Sequence, residues 1–448
     1  MTDPIKKPTA VEAFAQFAIQ FNTASVPDEV WHHTKRAVID WYASLYPGLE
    51  TPSVRLLEQA LGDDLDHGAA KLGNGRSATA RAAALFNGTA AHAAEVDDSF
   101  REAMYHPGAA TIAAALAAAQ TVGANGAQFL HAVVLGYEIS TRIGMAMGRP
   151  HYRYWHNTGT MGSFGAAASA AHLYGLNQAE FANALALAAT FTAGLQQAFK
   201  TETMAKPLHA GRAAEAGVLA AQLAKQGMAS SLNVLEGELG LGHAMSQDVD
   251  WTHVASTLGQ DFHITRLTFK NHIGCGHTFP SIDGALALKE AHGFDASEIE
   301  KVELGVYRPT LDIAGHTNPQ TADEAKFSIN YMVASALAFG SVRLSAFEPQ
   351  RLNDPLTRDL VPRVHAQLDP EVDAGFPERR AARVVITLKN GQRFERLQPD
   401  RKGDPELPLS DADLEGKLME LAVPVVGRAH AEALLQRIWN LDKSENLP

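Results

Sequence analysis

The stretch WHNTGTMGSFGAAASAAHLYGL, residues 155–176, decides the fold of the first half of this 448-residue chain. Alanine, glycine and serine fill it, and alanine is the strongest helix former among the amino acids. The distance between packed helices depends on the side chains at their contact, so small residues allow close approach. The same texture returns at residues 108–119 and 210–221. The sequence therefore predicts a core of closely packed helices.

Four predicted helix entries place a histidine or a lysine beside proline or glycine. Proline is favoured at the first helical position, and serine, threonine or asparagine just before it. A helix start offers N–H groups without helical partners and a partial positive charge, which suit it to bind anions. Imidazole and ammonium groups at such starts predict a pocket for a small molecule that carries carboxylates. The four segments are His106-Pro107-Gly108, His156-Asn157-Thr158-Gly159, Lys206-Pro207-Leu208-His209 and Cys275-Gly276-His277-Thr278.

Composition and charge exclude several classes of protein. A hydrophobic fraction of 46% and a charged fraction of 20% are ordinary for a globular protein, and the length favours more than one domain. Neither the first residues nor the Ala-rich run 109–119 predicts a secretion signal or a membrane span. The single cysteine, Cys275, excludes an internal disulfide and fits a reducing cytoplasm. The net charge of −12 argues against nucleic-acid binding. We therefore expect a cytoplasmic protein without a membrane or nucleic-acid partner.

The pattern of the chain changes near residue 266. Residues 1–265 predict helices nearly throughout, beginning with a capping box at Thr9-x-x-Glu12. Residues 300–307 alternate like a strand, and residues 383–397 predict a β-hairpin around Asn390-Gly391. Further helices are expected at 278–292, 322–339, 410–421 and 428–440.

These elements predict a mainly α protein with two domains. The last two helices are expected to rejoin the first part of the chain. The large all-helical domain then comprises residues 1–265 and 400–448, and the smaller α+β domain comprises residues 266–399.

Three carboxylates, Glu95, Asp97 and Asp98, precede His106 by eight to eleven positions. A carboxylate near an imidazole can act as a general base or hold the tautomer of the ring. The alternative interpretation is a solvated acidic helix end. A second alternative is a metal site with His92, Glu95 and His106 as ligands, since zinc binds histidine and carboxylate side chains.

Basic and aromatic residues accompany the other helix entries. His156 follows an aromatic run, residues 152–155, and could instead be a satisfied histidine within packed aromatic rings. Lys206, His209 and Arg212 can share one helix face, or they can form a cationic surface.

Further candidates lie after residue 266. Lys270 and His277 flank Cys275, which could be a nucleophile or an unreactive buried residue. Tyr307 and Arg308 end the predicted strand, where a phenol and a guanidinium could meet a ligand.

Taken together, these segments resemble the MmgE/PrpD family. The similar stretches follow one another along nearly the whole chain. They are HAAEVDDSF (92–100), HPGAATIAAAL (106–116), WHNTGTMGSFGAAASAAHLYGL (155–176), KPLHAGRAAEAG (206–217), LEGELG (235–240), CGHTFPSIDGAL (275–286) and EAKFSINYMVASAL (324–337).

The resemblance implies an all-helical body with an α+β lid, cofactor-free chemistry in the cleft between them, no metal, and a homodimer. Family members include 2-methylcitrate dehydratase, cis-aconitate decarboxylase and iminodisuccinate epimerase, which make or break a bond beside a carboxylate of a small polycarboxylic acid. The implied catalytic residues are Glu95, Asp97, His106, His156, Lys206, Lys270 and Tyr307. The residues expected to bind substrate are Asp98, His209, Arg212, Cys275, His277 and Arg308.

Two positions depart from the family pattern. Many members have Asp where this chain has Glu95, and a longer side chain moves the carboxylate oxygens, to which catalytic geometry is sensitive. Methylcitrate dehydratases continue after the histidine with a polar Ser-Asp-Asn type of sequence, whereas here residues 107–110 are Pro-Gly-Ala-Ala. The second departure weakens the assignment as a dehydratase and leaves epimerisation and decarboxylation open.

The expected chemistry is proton removal next to a carboxylate, with lysines, imidazoles and helix starts neutralising the charge that develops. Residues 266–399 are expected to act as a lid that brings Lys270 and Tyr307 to His106 and His156. The alternatives are a metal-dependent hydrolase and a non-catalytic protein that binds carboxylates.

Overall fold

A computed structural model describes residues 7–199 and 203–448 of the chain. The fold is mainly α, as the sequence predicts. It divides into unit 1, residues 1–269 and 410–448, and unit 2, residues 270–409. No helix within the described residues is long and apolar enough to cross a lipid bilayer.

Unit 1 is built around α4 (Ala80–Ala93), α5 (Pro107–Val122), α7 (Asn157–Leu173) and α9 (Ala205–Lys225), of which α5 and α9 each pack against the other three. The helices of unit 1 are α1 (Ala10–Gln20), α2 (Asp28–Leu49), α3 (Pro52–Leu61), α4 (Ala80–Ala93), α5 (Pro107–Val122), α6 (Gly126–His151), α7 (Asn157–Leu173), α8 (Gln178–Phe191), α9 (Ala205–Lys225), α10 (Leu241–Met245), α18 (Asp411–Val426) and α19 (Arg428–Trp439).

Small residues bring these four helices close together. A Cβ atom on Gly162 of α7 would lie 2.8 Å from Ala110 Cβ of α5 and 3.2 Å from Ala213 Cβ of α9. A Cβ atom on Gly211 of α9 would lie only 2.1 Å from Thr89 Oγ1 of α4. Larger side chains at these positions would push the helices apart. The predicted close packing is confirmed.

The prediction of helices nearly throughout residues 1–265 is wrong for two stretches of unit 1. Strands β1 (Leu65–Lys71) and β2 (Ser77–Ala78) form a small antiparallel sheet, with a bulge at which Asp66 has φ of 65°. Residues 226–262 contain α10 and otherwise mostly turns. Glycine, serine, asparagine and aspartate recur in this segment, and these residues favour turns over helix.

Unit 2 contains a four-stranded sheet with the strand order β4-β3-β5-β6. The predicted hairpin is confirmed, since β5 and β6 are antiparallel and Gly391 takes φ of 85° in the turn. Strand β4, which pairs parallel to β3, was not predicted. The strands are β3 (Ile299–Val306), β4 (Val364–Leu368), β5 (Ala382–Leu388) and β6 (Arg393–Gln398).

Helices α11 and α14 pack against each other, and both contact strands of this sheet. The single helix predicted at residues 322–339 is two helices, because Ser328 caps the second by accepting a hydrogen bond from the Tyr331 N–H. The helices of unit 2 are α11 (Phe279–His292), α12 (Arg308–Ile313), α13 (Ala322–Lys326), α14 (Ile329–Phe339), α15 (Pro349–Leu352), α16 (Pro355–Leu360) and α17 (Pro370–Ala374).

Candidate active site

The segment between α4 and α5, residues 94–99, carries the predicted carboxylates and is called the acidic loop. Asp97 is buried, with 1% of its surface exposed. Its Oδ2 atom lies 2.7 Å from His92 Nδ1 at the end of α4 and 3.4 Å from His106 Nδ1 just before α5. The loop therefore directs one buried carboxylate at two imidazole rings, which is the opposite of a solvated acidic helix end.

Hydrogen-bond acceptors fix the tautomers of both rings. His106 Nδ1 lies 2.7 Å from the main-chain oxygen of Asp98, and a carbonyl oxygen only accepts hydrogen bonds. His106 Nδ1 therefore carries a hydrogen, and the lone pair of the neutral ring is on Nε2. His92 Nδ1 likewise donates to the Asp97 carboxylate. The side chain of His106 is 19% exposed, so this ring reaches solvent, whereas that of His92 is fully buried.

Asp98 faces away from solvent. One of its carboxyl oxygens accepts a hydrogen bond from the Gly108 N–H at 3.0 Å, and the other lies 2.7 Å from Tyr137 Oη. Burial, and next the negative charge of Asp40, raise the pKa of Asp98 to about 8. Through the Gly108 N–H, this carboxyl group anchors the start of α5.

A second pair of imidazoles lies beside His92. The His156 ring stacks on that of His92 with 5.4 Å between centroids, and His156 Nδ1 lies 3.0 Å from His209 Nδ1. Burial, and then the charges of nearby histidines and Lys206, lower the pKa of His156 well below its usual range. Burial also lowers the pKa of His209. Both rings are then neutral at pH 7, one nitrogen of the pair donating and the other accepting. We call His92, Asp97, His106, His156 and His209 the His–Asp cluster.

Lys206 of α9 adds a positive charge next to the His–Asp cluster. Its Nζ atom lies 3.0 Å from Glu95 Oε1 and 5.2 Å from the centre of the Phe199 ring. Glu95 reaches this position from the acidic loop with φ of 59°, a left-handed conformation that is rare outside glycine. Arg212, the other predicted cation of this helix, pairs with Glu215, and its side chain is 64% exposed.

Three of these residues are also placed so that they could bind a metal ion. Each of His92, Asp97 and His106 offers one possible ligand atom, and these three atoms lie within 4.8 Å of one another. This set differs from the predicted metal ligands, because Glu95 pairs with Lys206 instead. Both Nδ1 atoms already donate hydrogen bonds to oxygen acceptors, and a metal ion would have to displace those protons. The geometry therefore favours proton transfer over metal binding.

Unit 2 brings together another group of predicted residues. His277 precedes α11, and its Nδ1 atom lies 3.0 Å from Oη of Tyr307 at the end of β3. The ring of Phe376 stacks on Tyr307 with 4.6 Å between centroids. Burial, followed by the charges of Arg380 and Arg401, lowers the pKa of His277 to about 4. Burial raises the pKa of Cys275, so the thiol is not activated as a nucleophile.

Two arginines of unit 2 were not predicted. Arg401 pairs with Asp404 and donates a 3.4 Å hydrogen bond to the main-chain oxygen of Gly276, next to His277. The positive charge of Arg380 acts to lower the pKa of both His277 and Tyr307. Neither lies near His277 in sequence, and no local motif marks them. The expectation that Lys270 and Tyr307 join the histidines of unit 1 stays a prediction, and so does the substrate-binding role of Arg308, whose N–H donates to Asp373.

Helices that direct neutral imidazoles, a buried carboxylate and an ammonium group at one place are typical of enzymes that move protons. The chain belongs to the MmgE/PrpD family. The MmgE/PrpD N-terminal domain matches residues 12–254, and the MmgE/PrpD C-terminal domain matches residues 272–443. The resemblance seen in the sequence is thereby confirmed.

Similar proteins include cis-aconitate decarboxylases from animals and fungi. The mouse (Mus musculus) enzyme is 27% identical over 81% of this chain and 76% of its own length. The human (Homo sapiens) enzyme is 27% identical over 81% of this chain and 77% of its own length. A cis-aconitate decarboxylase-like protein, oryM, of Aspergillus oryzae is 24% identical over 100% of this chain and 97% of its own length. The names of these relatives support the interpretation that this chain is an enzyme.

Proposed function

We propose that this protein is a cofactor-independent lyase that decarboxylates a small tricarboxylic acid such as cis-aconitate. The observation that carries the proposal is the His–Asp cluster with Lys206 beside it. Neutral imidazoles can accept and return a proton, and an ammonium group can hold a substrate carboxylate. The names of the relatives favour decarboxylation among the reactions considered.

Each group has a defined part in such a reaction. In a decarboxylation, the bond between the carboxylate carbon and its neighbour breaks, carbon dioxide leaves, and the electron pair stays on the remaining acid. A proton must then be returned to carbon. His106 is the candidate for this step, because its ring is partly exposed and its protonation at Nε2 would be supported by the Asp98 main-chain oxygen and by Asp97 at Nδ1.

Lys206 is the candidate for holding a substrate carboxylate. It pairs with Glu95, whose side chain is 52% exposed, so a dianionic ligand could replace Glu95 at the ammonium group. The positive charge would then stabilise the negative charge that develops on the acid. Lys270 and Tyr307 of unit 2 are kept as candidate catalytic residues.

Epimerisation and dehydration begin with a related step, proton removal beside a carboxylate, and the same groups could serve them. The test is therefore a reaction screen by NMR in heavy water with cis-aconitate, citrate, 2-methylcitrate and malate, after treatment of the protein with a chelator. We expect loss of carbon dioxide from cis-aconitate and one deuterium at carbon in the product. The matched variant His106→Gln should bind the acid and lose turnover.

Three outcomes would contradict the proposal. Inversion or loss of water without carbon dioxide release would assign an epimerase or a dehydratase instead. Binding without isotope exchange for any acid would indicate a non-catalytic binding protein. Activity that disappears with the chelator and returns with added zinc would favour a metal-dependent enzyme.

A further inference from the structure

Lys417 of α18 is a buried charge outside the predicted site. Only 2% of its surface is exposed, although lysine is rarely buried without a partner. Its Nζ atom lies 2.6 Å from Asp40 Oδ1 on α2 and 2.6 Å from the main-chain oxygen of Val96. Asp40 and Val96 are also buried.

The contact with Val96 places this charge behind the acidic loop. Val96 lies between Glu95, which has φ of 59°, and Asp97, which accepts the hydrogen bond of His92. Because the ammonium group holds the Val96 oxygen at 2.6 Å, the planar peptide group that carries this oxygen cannot turn freely about the flanking N–Cα and Cα–C bonds. The orientation of Val96 therefore constrains where the side chains on either side of it point.

Two further contacts hold the far end of the loop. The Ser99 N–H donates to the Thr268 oxygen at 2.9 Å, and the Thr268 N–H donates to the Ser99 oxygen at 2.8 Å. The near end follows directly from α4. Lys417 supplies a side-chain contact to the main chain of the loop at Val96, and the His106 ring supplies another at Asp98.

We infer that Lys417, held against Asp40, is a positioning residue that sets the direction of the Asp97 carboxylate toward His92 and His106. The activity part of this inference rests on the proposed function; its spectroscopic part does not. A purely structural ion pair between α2 and α18 would predict a loss of stability without a change in the His–Asp cluster.

The structure offers a matched control on the same two helices. Arg36 of α2 pairs with Asp411 of α18, whose side chain is 43% exposed. The test compares Lys417→Met/Asp40→Asn, which removes both buried charges together, with Arg36→Met/Asp411→Asn. Removing both charges avoids leaving one uncompensated charge in the interior.

The first readout is the proton NMR signal of the His92 Nδ1 hydrogen. A proton in a short hydrogen bond to a buried carboxylate resonates far downfield, and its loss in His92→Gln assigns it. We expect Lys417→Met/Asp40→Asn to lose or shift this signal while the control variant keeps it. The second readout is kinetic: kcat should fall at least tenfold with KM changed less than threefold, and the control should stay within twofold of wild type.

The inference is overturned if the folded Lys417→Met/Asp40→Asn variant keeps the downfield signal unchanged, or if both variants alter it equally. If that variant does not fold, Lys417→Gln/Asp40→Asn replaces it with the same expectations, because it removes the ammonium group and shortens the side chain by one atom. If the wild-type protein turns over none of the acids tested, the proposed function fails, and the NMR comparison still decides the role of Lys417.

Discussion

At the scale of single residues, oxygen acceptors determine what the imidazoles can do. The Asp98 main-chain oxygen and the Asp97 carboxylate receive the Nδ1 hydrogens of His106 and His92. The Nε2 atom of His106 is then the nitrogen whose protonation can change during a reaction. One short loop thus supplies both the carboxylate and the carbonyl that set this chemistry.

Lys206 provides the sharpest residue-scale prediction. We expect Lys206→Met to lower kcat/KM by more than tenfold, because losing a charge partner of a substrate carboxylate costs ~2–5 kcal/mol. The measurement is steady-state turnover of the substrate found in the reaction screen, with circular dichroism to establish folding. Lys225→Met is the matched control, since Lys225 lies at the other end of α9 and donates to the Tyr174 oxygen. Near-normal turnover by folded Lys206→Met would remove this lysine from the site.

At the scale of helices, the contact between α9 and α4 at Gly211 leaves no space for a methyl group. A substitution of this glycine by alanine is therefore expected to lower the stability of the protein. Gly211→Ala places a Cβ atom 2.1 Å from Thr89 Oγ1 and 2.3 Å from the Leu85 oxygen, so α9 and α4 must move apart. We expect a loss of ~1–3 kcal/mol in the free energy of unfolding, measured by urea denaturation.

Gly416→Ala is the control for the intrinsic preference of alanine for helix. This glycine lies inside α18, and a Cβ atom there has no neighbouring atom within 4 Å. The substitution should stabilise the protein by ~0.5–1 kcal/mol. Equal stability of the two variants would show that α9 and α4 tolerate a wider separation.

A histidine pair predicts how the contact between α6 and α7 depends on pH. His131 Nδ1 lies 2.9 Å from His172 Nε2, and burial lowers their pKa values to about 3 and about 4. Because the folded pKa lies below the ordinary value, the unfolded chain binds more protons under pH 6.5. The stabilising effect is therefore complete above pH 6.5 and is lost as the pH falls toward 4.

The variant His131→Gln isolates this effect. Between pH 7 and pH 5, the free energy of unfolding should fall by about 2 kcal/mol less in His131→Gln than in wild type. This difference corresponds to one histidine that takes up a proton on unfolding over about 1.5 pH units. Asp98 and Glu138, whose raised pKa values act in the opposite direction, are present in both proteins and cancel in the comparison. Identical pH profiles would contradict the assignment.

The sequence predicted those features that depend on neighbouring residues. The starts of α5 and α7, the capping box of α1 and the Asn390-Gly391 hairpin follow from a few adjacent side chains, and all are confirmed. The tautomer of His106 depends on the position of the Asp98 main-chain oxygen, and the raised pKa of Asp98 depends on burial and on the charge of the distant Asp40. Lys417 and Asp40 are 377 positions apart, a separation at which no local pattern can indicate a contact.

At the scale of the whole molecule, the family resemblance predicts a homodimer. Light scattering in solution should then give twice the chain mass of 48.0 kDa, independent of protein concentration in the micromolar range. A mass of one chain at all concentrations would contradict this prediction.

The return of the chain to unit 1 at residue 410 has a consequence for biosynthesis. A ribosome that has released residues 1–409 has already made every member of the His–Asp cluster, yet Asp40 still lacks the ammonium group of Lys417. Domains generally fold in the order of synthesis, but unit 1 cannot form the Lys417–Asp40 ion pair until α18 has left the exit tunnel. Throughout most of translation, the nascent chain therefore lacks the contact between Lys417 and the Val96 oxygen of the acidic loop. This contact can form only after α18 has emerged.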